Sequence, residues 1–173
     1  MLRIPKPVDG EFLPYYGKYI ALVGDDALSA MAQQAMDTQA LLARAGEAKA
    51  GLRYEHGKWS VREVVGHMAD AERVFAHRAL RFGRGDSTDL PGFDENKYVP
   101  AGNFEAHTLA DVAAEYAAVR AASLALFRSF NDAALVRQGK AHGSPISVRA
   151  LAYVIAGHEL HHVGLLKQRY GLS

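Results

Sequence analysis

Four stretches of this chain repeat apolar residues at steps of three and four, and none alternates apolar with polar as a half-buried strand would. Each runs for roughly six helical turns. The first spans 25–46, with Leu28, Met31, Ala35 and Leu42 on its stripe, Asp25 or Asp26 as its cap and Gly46 at its end. The second spans 60–83 and opens on Ser60-Val61-Arg62-Glu63, a capping-box pattern. Its apolar positions are Val61, Val64, Val65, Met68, Ala71, Val74, Phe75, Ala79 and Phe82. The third spans 108–130, opening on Thr108 with Asp111 three residues on, and carries Leu109, Val112, Tyr116, Val119, Ser123, Leu126 and Phe130. The fourth spans 147–170, from a Ser147 cap to Gly171 just past its end.

Four such segments predict an all-α chain, a four-helix bundle over residues 25–173. Residues 1–24 are broken by Pro5, Pro7, Gly10, Pro14, Gly17 and Gly24 and predict an irregular lead-in, with one short helix through Tyr15–Val23. The connections at 47–59, 86–107 and 131–146 are long enough to cross the ends of the bundle, so simple up-down order is not required. The 86–107 connection is rich in Gly, Pro, Asp and Asn, and a loop of that length in a compact domain is often functional.

Charge and composition exclude several functions. Net charge is +1 with histidine neutral, which gives no bulk attraction to the phosphates of nucleic acid. No apolar run reaches the length of a membrane span. The first residues lack the apolar core of a signal peptide, so the cytoplasm is the expected compartment. With no cysteine, the chain has neither disulfide, thiolate ligand nor catalytic thiol. Any bound metal must use histidine, carboxylate or backbone oxygen.

The fourth segment holds the strongest chemical signal, Gly157-His158-Glu159-Leu160-His161-His162. His158 falls seven residues after Leu151, and His162 seven after Ile155, so both stand on the inward stripe. Four residues turn about 400°, which sets the two rings on one face, one turn apart. The spacing alone is weak, since eight shuffled histidines would produce roughly 0.4 such pairs. Two adjacent buried rings nevertheless each need polar partners. A third ligand must come from upstream, and His67, on the flank of the second apolar face, is the candidate. His56, His77, His107 and His142 read as solvent-facing, and His161 as a neighbour of the pair.

The same residues match the zinc-protease pattern His-Glu-x-x-His, with Glu159 as general base. Against a protease stand the eleven residues left after His162, Leu165 where the extended motif needs glycine, and the lack of a sheet edge to hold a peptide.

Lys58-Trp59-Ser60-Val61-Arg62-Glu63-Val64-Val65-Gly66-His67-Met68-Ala69-Asp70 and Ala156 through His162 together resemble the DinB-like, or YfiT-like, four-helix-bundle metalloproteins. The resemblance covers roughly residues 25–170. It implies a bundle of unusual helix order, often dimeric, whose three histidines hold a divalent metal, typically zinc or nickel; here these are His67, His158 and His162. Characterised relatives resemble thiol-dependent enzymes, namely bacillithiol transferases and a mycothiol-dependent isomerase. The expected function is therefore a metal-dependent thiol S-transferase or hydrolase acting on a small molecule. The alternative is a non-catalytic metal-binding or assembly protein.

Three neutral imidazoles leave zinc or nickel with an open position. Glu72, Arg78 and Glu159 are the charged candidates for orienting a substrate there. Trp59 and the 86–107 loop are candidate walls, although Trp59 reads first as a hydrophobic staple at the start of the second helix.

Overall fold

The computed structural model describes residues 3–173. Short helices and turns separate four long helices, in the order α1 (Gly17–Ile20), α2 (Ala27–Ala45), α3 (Glu47–Ala50), α4 (Val61–Gly83), α5 (Glu95–Ala101), α6 (Leu109–Arg128), α7 (Asp132–Leu135), β1 (Gln138–Ala141), β2 (Ser144–Ser147) and α8 (Val148–Gln168). Four-helix architecture is as the apolar periods predict. The starts are set by side chains. The Ser60 hydroxyl accepts from Glu63 N at 3.2 Å, and Glu63 returns the bond to Ser60 N at 2.7 Å. Thr108 and Asp111 make the same reciprocal cap on α6, and Ser147 caps α8. On α2 the cap is Asp26, not Asp25.

The long helices do not follow one another around the bundle. α4 packs on α6 and α8, and α2 packs on the same two, so α2 and α4 lie diagonally opposite. The buried apolar residues form two clusters. One joins the N-terminal ends of α2 and α8 to the C-terminal ends of α4 and α6, and includes Met31, Phe82, Phe127 and Leu151. The other joins the opposite ends and includes Leu41, Val65, Val112 and Leu166. Hence α2 runs parallel to α8 and α4 parallel to α6, and the long connections cross the bundle ends. Between the clusters lies a layer of buried polar groups: Gln34 and Thr38 from α2, His67 and Glu72 from α4, Arg120 from α6, and His158, Glu159 and His162 from α8.

The lead-in is more than an entry segment. Ile4, Tyr19, Ile20 and Val23 are buried, three of them in the first apolar cluster. The Asp26 carboxylate that caps α2 also accepts from Ile4 N at 2.9 Å. Glu11 accepts from the Ser147 hydroxyl at 3.0 Å and pairs with Arg149, fixing the lead-in to the start of α8. α1 lies so close to α8 that a Cβ at Gly157 would stand 2.1 Å from the Tyr19 carbonyl oxygen. Glycine is required there by contact, not by backbone angle.

Two connections are more ordered than their composition suggests. Residues 131–146, read as a plain connection, include the antiparallel hairpin β1–β2 with Gly139 opposite Ile146. Its two central turn residues, His142 and Gly143, both have positive φ, 54° and 75°, as a type I′ turn demands. A Cβ at Gly139 would overlap the Phe82 ring, so β1 can lie directly on α4. The 86–107 segment is tied to this hairpin by Leu90 N to Lys140 O at 2.9 Å and His142 N to Leu90 O at 2.8 Å. It then forms α5, capped by Asp94, and a 3-10 turn over Phe104–Ala106. No helix among the described residues is long and apolar enough to cross a membrane.

Candidate metal centre

His67 lies seven residues past the Ser60 cap, on the face of α4 turned toward α8; His158 and His162 lie one turn apart on α8. The His158 Nε2 stands 3.1 Å from the Nε2 of His67 and 3.1 Å from that of His162. One ring nitrogen from each residue lies within 4.8 Å of the others. All three are buried.

Satisfied core histidines would look different. Among the described residues, the hydrogen bonds of these three rings run only to one another. The His162 Nδ1 is buried with no partner at all. A tetrahedral ion with bonds of about 2.0–2.1 Å sets its ligand nitrogens about 3.3 Å apart. The two separations of 3.1 Å from the His158 Nε2 are close to that spacing, and neutral imidazole is a fitting donor for a borderline divalent ion.

Neutrality comes from burial. Loss of solvent pushes the His67 ring down to about 4 and the His158 ring to about 3, and His162 well below its ordinary value; for the last two, neighbouring imidazoles add to the effect. In the unfolded chain these rings protonate near 6.5. Between pH 6.5 and 4 the unfolded chain therefore binds more protons, and stability rises with pH across that window. We expect the urea midpoint of the ion-free chain to change little from these rings above about pH 7 and to fall from pH 6.5 to 4.5. A midpoint constant over that range would show that burial does not hold these rings neutral.

The histidines form the floor of a cavity of about 690 Å³. Its walls come from separate parts of the chain: Tyr15, Tyr16 and Tyr19 from the lead-in, Phe75 and Arg78 from α4, Phe93 and Glu95 from the 86–107 segment, and His142 from the hairpin turn. Trp59 is a wall as well, with its ring centre 4.8 Å from that of His67. It stands beside the floor rather than only stapling the helix start. His161 lines the cavity and meets the Tyr19 ring edge-on at 5.6 Å.

The charged candidates separate. Arg78 lines the cavity, but Glu72 and Glu159 do not. Glu159 follows His158 directly, so its side chain leaves α8 about 100° away. It points to the bundle axis, where it accepts from Arg120 Nη1 at 2.6 Å and Thr38 Oγ1 at 2.5 Å. Glu72 accepts from Arg120 Nε at 2.9 Å and Nη2 at 2.8 Å. Bonds from Nη1 to Met31 O and from Nη2 to Tyr116 Oη engage all five guanidinium donors. Both carboxylates are thus held in an ion triad less than 4% exposed. Glu72 and Glu159, expected to orient a substrate, face the bundle axis and not the cavity, and so does the carboxylate that the protease pattern would use as base.

Three participants escaped sequence reasoning. Arg120 lies four residues after Tyr116, on the buried stripe of α6, and that spacing was its available signal. Glu95 opens the short helix α5, in a segment whose sequence has no apolar period to mark it. His142 is exposed, as expected, but at the cavity rim.

A polar layer carrying three convergent imidazoles beneath an open cavity defines a class of helical-bundle proteins with a candidate metal centre. The chain belongs to the DinB superfamily, whose sequence pattern matches residues 30–166. Among solved structures it is similar to YfiT from Bacillus subtilis, described as a probable metal-dependent hydrolase with an unusual four-helix bundle topology. The TM-score is 0.70 at 20% identity, covering 97% of this chain and 94% of that one. It is also similar to the mycothiol-dependent maleylpyruvate isomerase, with a TM-score of 0.66 at 13% identity, over 79% of this chain. The matched part spans 58% of the isomerase's length. Identities this low carry the fold alone. No curated protein matches the sequence.

Proposed function

We propose that this chain holds a divalent ion, zinc or nickel, through His67, His158 and His162, and is a metal-dependent enzyme acting on a small molecule in the cavity. The reaction is a hydrolysis or the transfer of a group to or from a low-molecular-weight thiol. The observation that carries this reading is the convergence of three Nε2 atoms, with no other hydrogen-bond partner, on the floor of an open cavity. A resident ion of this kind supplies Lewis acidity, lowering the pKa of a bound water or thiol.

The chain's own residues do the rest. The aromatic walls exclude bulk water and hold an apolar substrate body. Glu95 is the proton acceptor: it is half-buried, lines the cavity and stays outside the adjacent Lys97–Asp94 pair. It takes the proton of the attacking O–H or S–H onto a carboxylate oxygen and returns it to the leaving group. Arg78, on the cavity wall, orients the substrate. The two similar structures, one described as a probable metal-dependent hydrolase and the other as a thiol-dependent isomerase, lend support to both branches.

The test begins with elemental analysis of protein purified without added metal. Turnover is then measured on ester and amide panels, and on thiols (mycothiol, bacillithiol) paired with electrophiles. Wild type and His162→Ala are compared with matched metal in solution and matched helicity by circular dichroism. Turnover in wild type and none in His162→Ala is expected. Equal rates in both, or no turnover from fully loaded wild type, would make this a binding protein.

A further inference from the structure

Two arginines are buried in this bundle, and they are treated differently. Arg120, 1% exposed, meets two carboxylates. Arg78 is 4% exposed, yet no carboxylate among the described residues lies within ion-pair distance of it. Its hydrogen bond runs from Nη2 to the Pro91 carbonyl oxygen at 2.8 Å, and the Tyr16 hydroxyl, a neutral group, lies beside it. A guanidinium has five donors, and a buried cation without a counter-charge is costly. The side chain belongs to the cavity wall, so the missing partner has a place to come from.

Arg78 lies eleven residues after His67. Eleven residues make three turns and about 20°, so the two share one face of α4, and helical side chains lean back toward the N-terminus. Phe75 lies between guanidinium and floor. Its ring centre is 5.8 Å from the Arg78 guanidinium carbon and 6.1 Å from the His158 ring centre.

We infer that Arg78 is an anion anchor, and that the substrate is a monocarboxylate whose carboxylate pairs with Arg78 while its reacting bond lies over the histidines. A spacer about one aromatic ring long separates the two ends, and the aromatic walls Tyr16, Phe75 and Phe93 cover it. A flat carboxylate matches the two-pronged guanidinium. A dianion such as a phosphate monoester would also face Asp94 and Glu95, which line the same cavity. The alternative role for Arg78 is to tether Pro91, and the choice of variants separates the two.

This inference rests on the reading of the cavity as the substrate site, so it is tested by binding, in metal-free protein, where no direct bond from carboxylate to ion interferes. Calorimetry compares phenylacetate and 4-phenylbutyrate with their amides and with phenyl phosphate. Wild type should prefer the acids to the amides by at least about tenfold, the order of one charge-assisted hydrogen-bond pair. Arg78→Gln keeps a donor for Pro91 but loses the charge, and should lose that preference. Arg78→Lys keeps the charge without the fork and should retain part of it. Equal binding of acid and amide to wild type, an undiminished preference in Arg78→Gln, or tighter binding of phenyl phosphate would overturn the inference. The wild-type arm stands even if a variant misfolds. Arg78-dependent binding together with no turnover of the loaded enzyme would sink the catalytic reading and leave the anchor in place.

Discussion

Arg120→Met is expected to destabilise the chain by about 3–5 kcal/mol, because it strands two buried carboxylates without their counter-charge. Domains of this kind are typically stable by only about 5–15 kcal/mol, so the variant should be partly unfolded at moderate temperature. The cost comes from isolation, not from the worth of the pair itself. Glu72 and Glu159 are 3% and 2% exposed and cannot turn to solvent. The Thr38 hydroxyl continues to satisfy Glu159, but Glu72 loses both of its bonds. Replacing all three members of the triad by apolar residues, as Glu72→Leu, Arg120→Met and Glu159→Leu together, should recover most of the loss. Urea unfolding followed by circular dichroism decides the matter. A single Arg120→Met variant within about 1 kcal/mol of wild type would mean that water reaches the layer.

His67→Ala is expected to weaken binding of Ni²⁺ or Zn²⁺ by at least about 100-fold. Loss of a group that merely orients a ligand costs 10–100-fold, and loss of a ligand must cost no less. The chain provides its own reporter. Trp59 is its only tryptophan and sits against the His67 ring. Titration with Ni²⁺ should quench Trp59 emission in wild type and leave His67→Ala unchanged at the same concentrations. Binding should also raise the wild-type unfolding free energy by about 2.7 kcal/mol at a free ion concentration 100 times Kd, and leave the variant near its ion-free value. Equal affinity in the two proteins would remove His67 from the ligand set.

What the sequence made legible follows from how local each signal is. The helix starts rest on side chains three residues from the backbone they cap, so Ser60, Thr108 and Ser147 can be read directly. The approach of His158 to His162 is likewise fixed by one helix turn. The approach of His67 to that pair is a tertiary fact; its place on the flank of the α4 apolar face made it a candidate, and the family resemblance named it as a ligand. Distance along the chain hid the rest. The apolar period of α2 was read through Ala35, whereas its buried face presents Gln34 and Thr38 to groups on α6 and α8. Glu72 and Glu159 were drawn to the site by their nearness in sequence to the histidines, and helix phase turns them away from it. Hairpin β1–β2 was missed because its strands are four residues each and its turn is built on His142-Gly143, a weaker sign than Asn-Gly.

The cavity has a floor made by His67 on α4 and by His158 and His162 on α8, and a rim made by segments outside the four long helices. Lead-in, 86–107 segment and hairpin turn each reach the rim from a different end of a helix. The side chains that each turns to the cavity can change while the buried charged layer below stays in place. Under the proposed function, such a division would separate the reagent from the choice of customer: one imidazole trio would serve successive chemistries as its surroundings are exchanged around it. In a lineage built this way, relatives would keep the trio and differ most in what stands where Tyr15, Glu95 and His142 stand here.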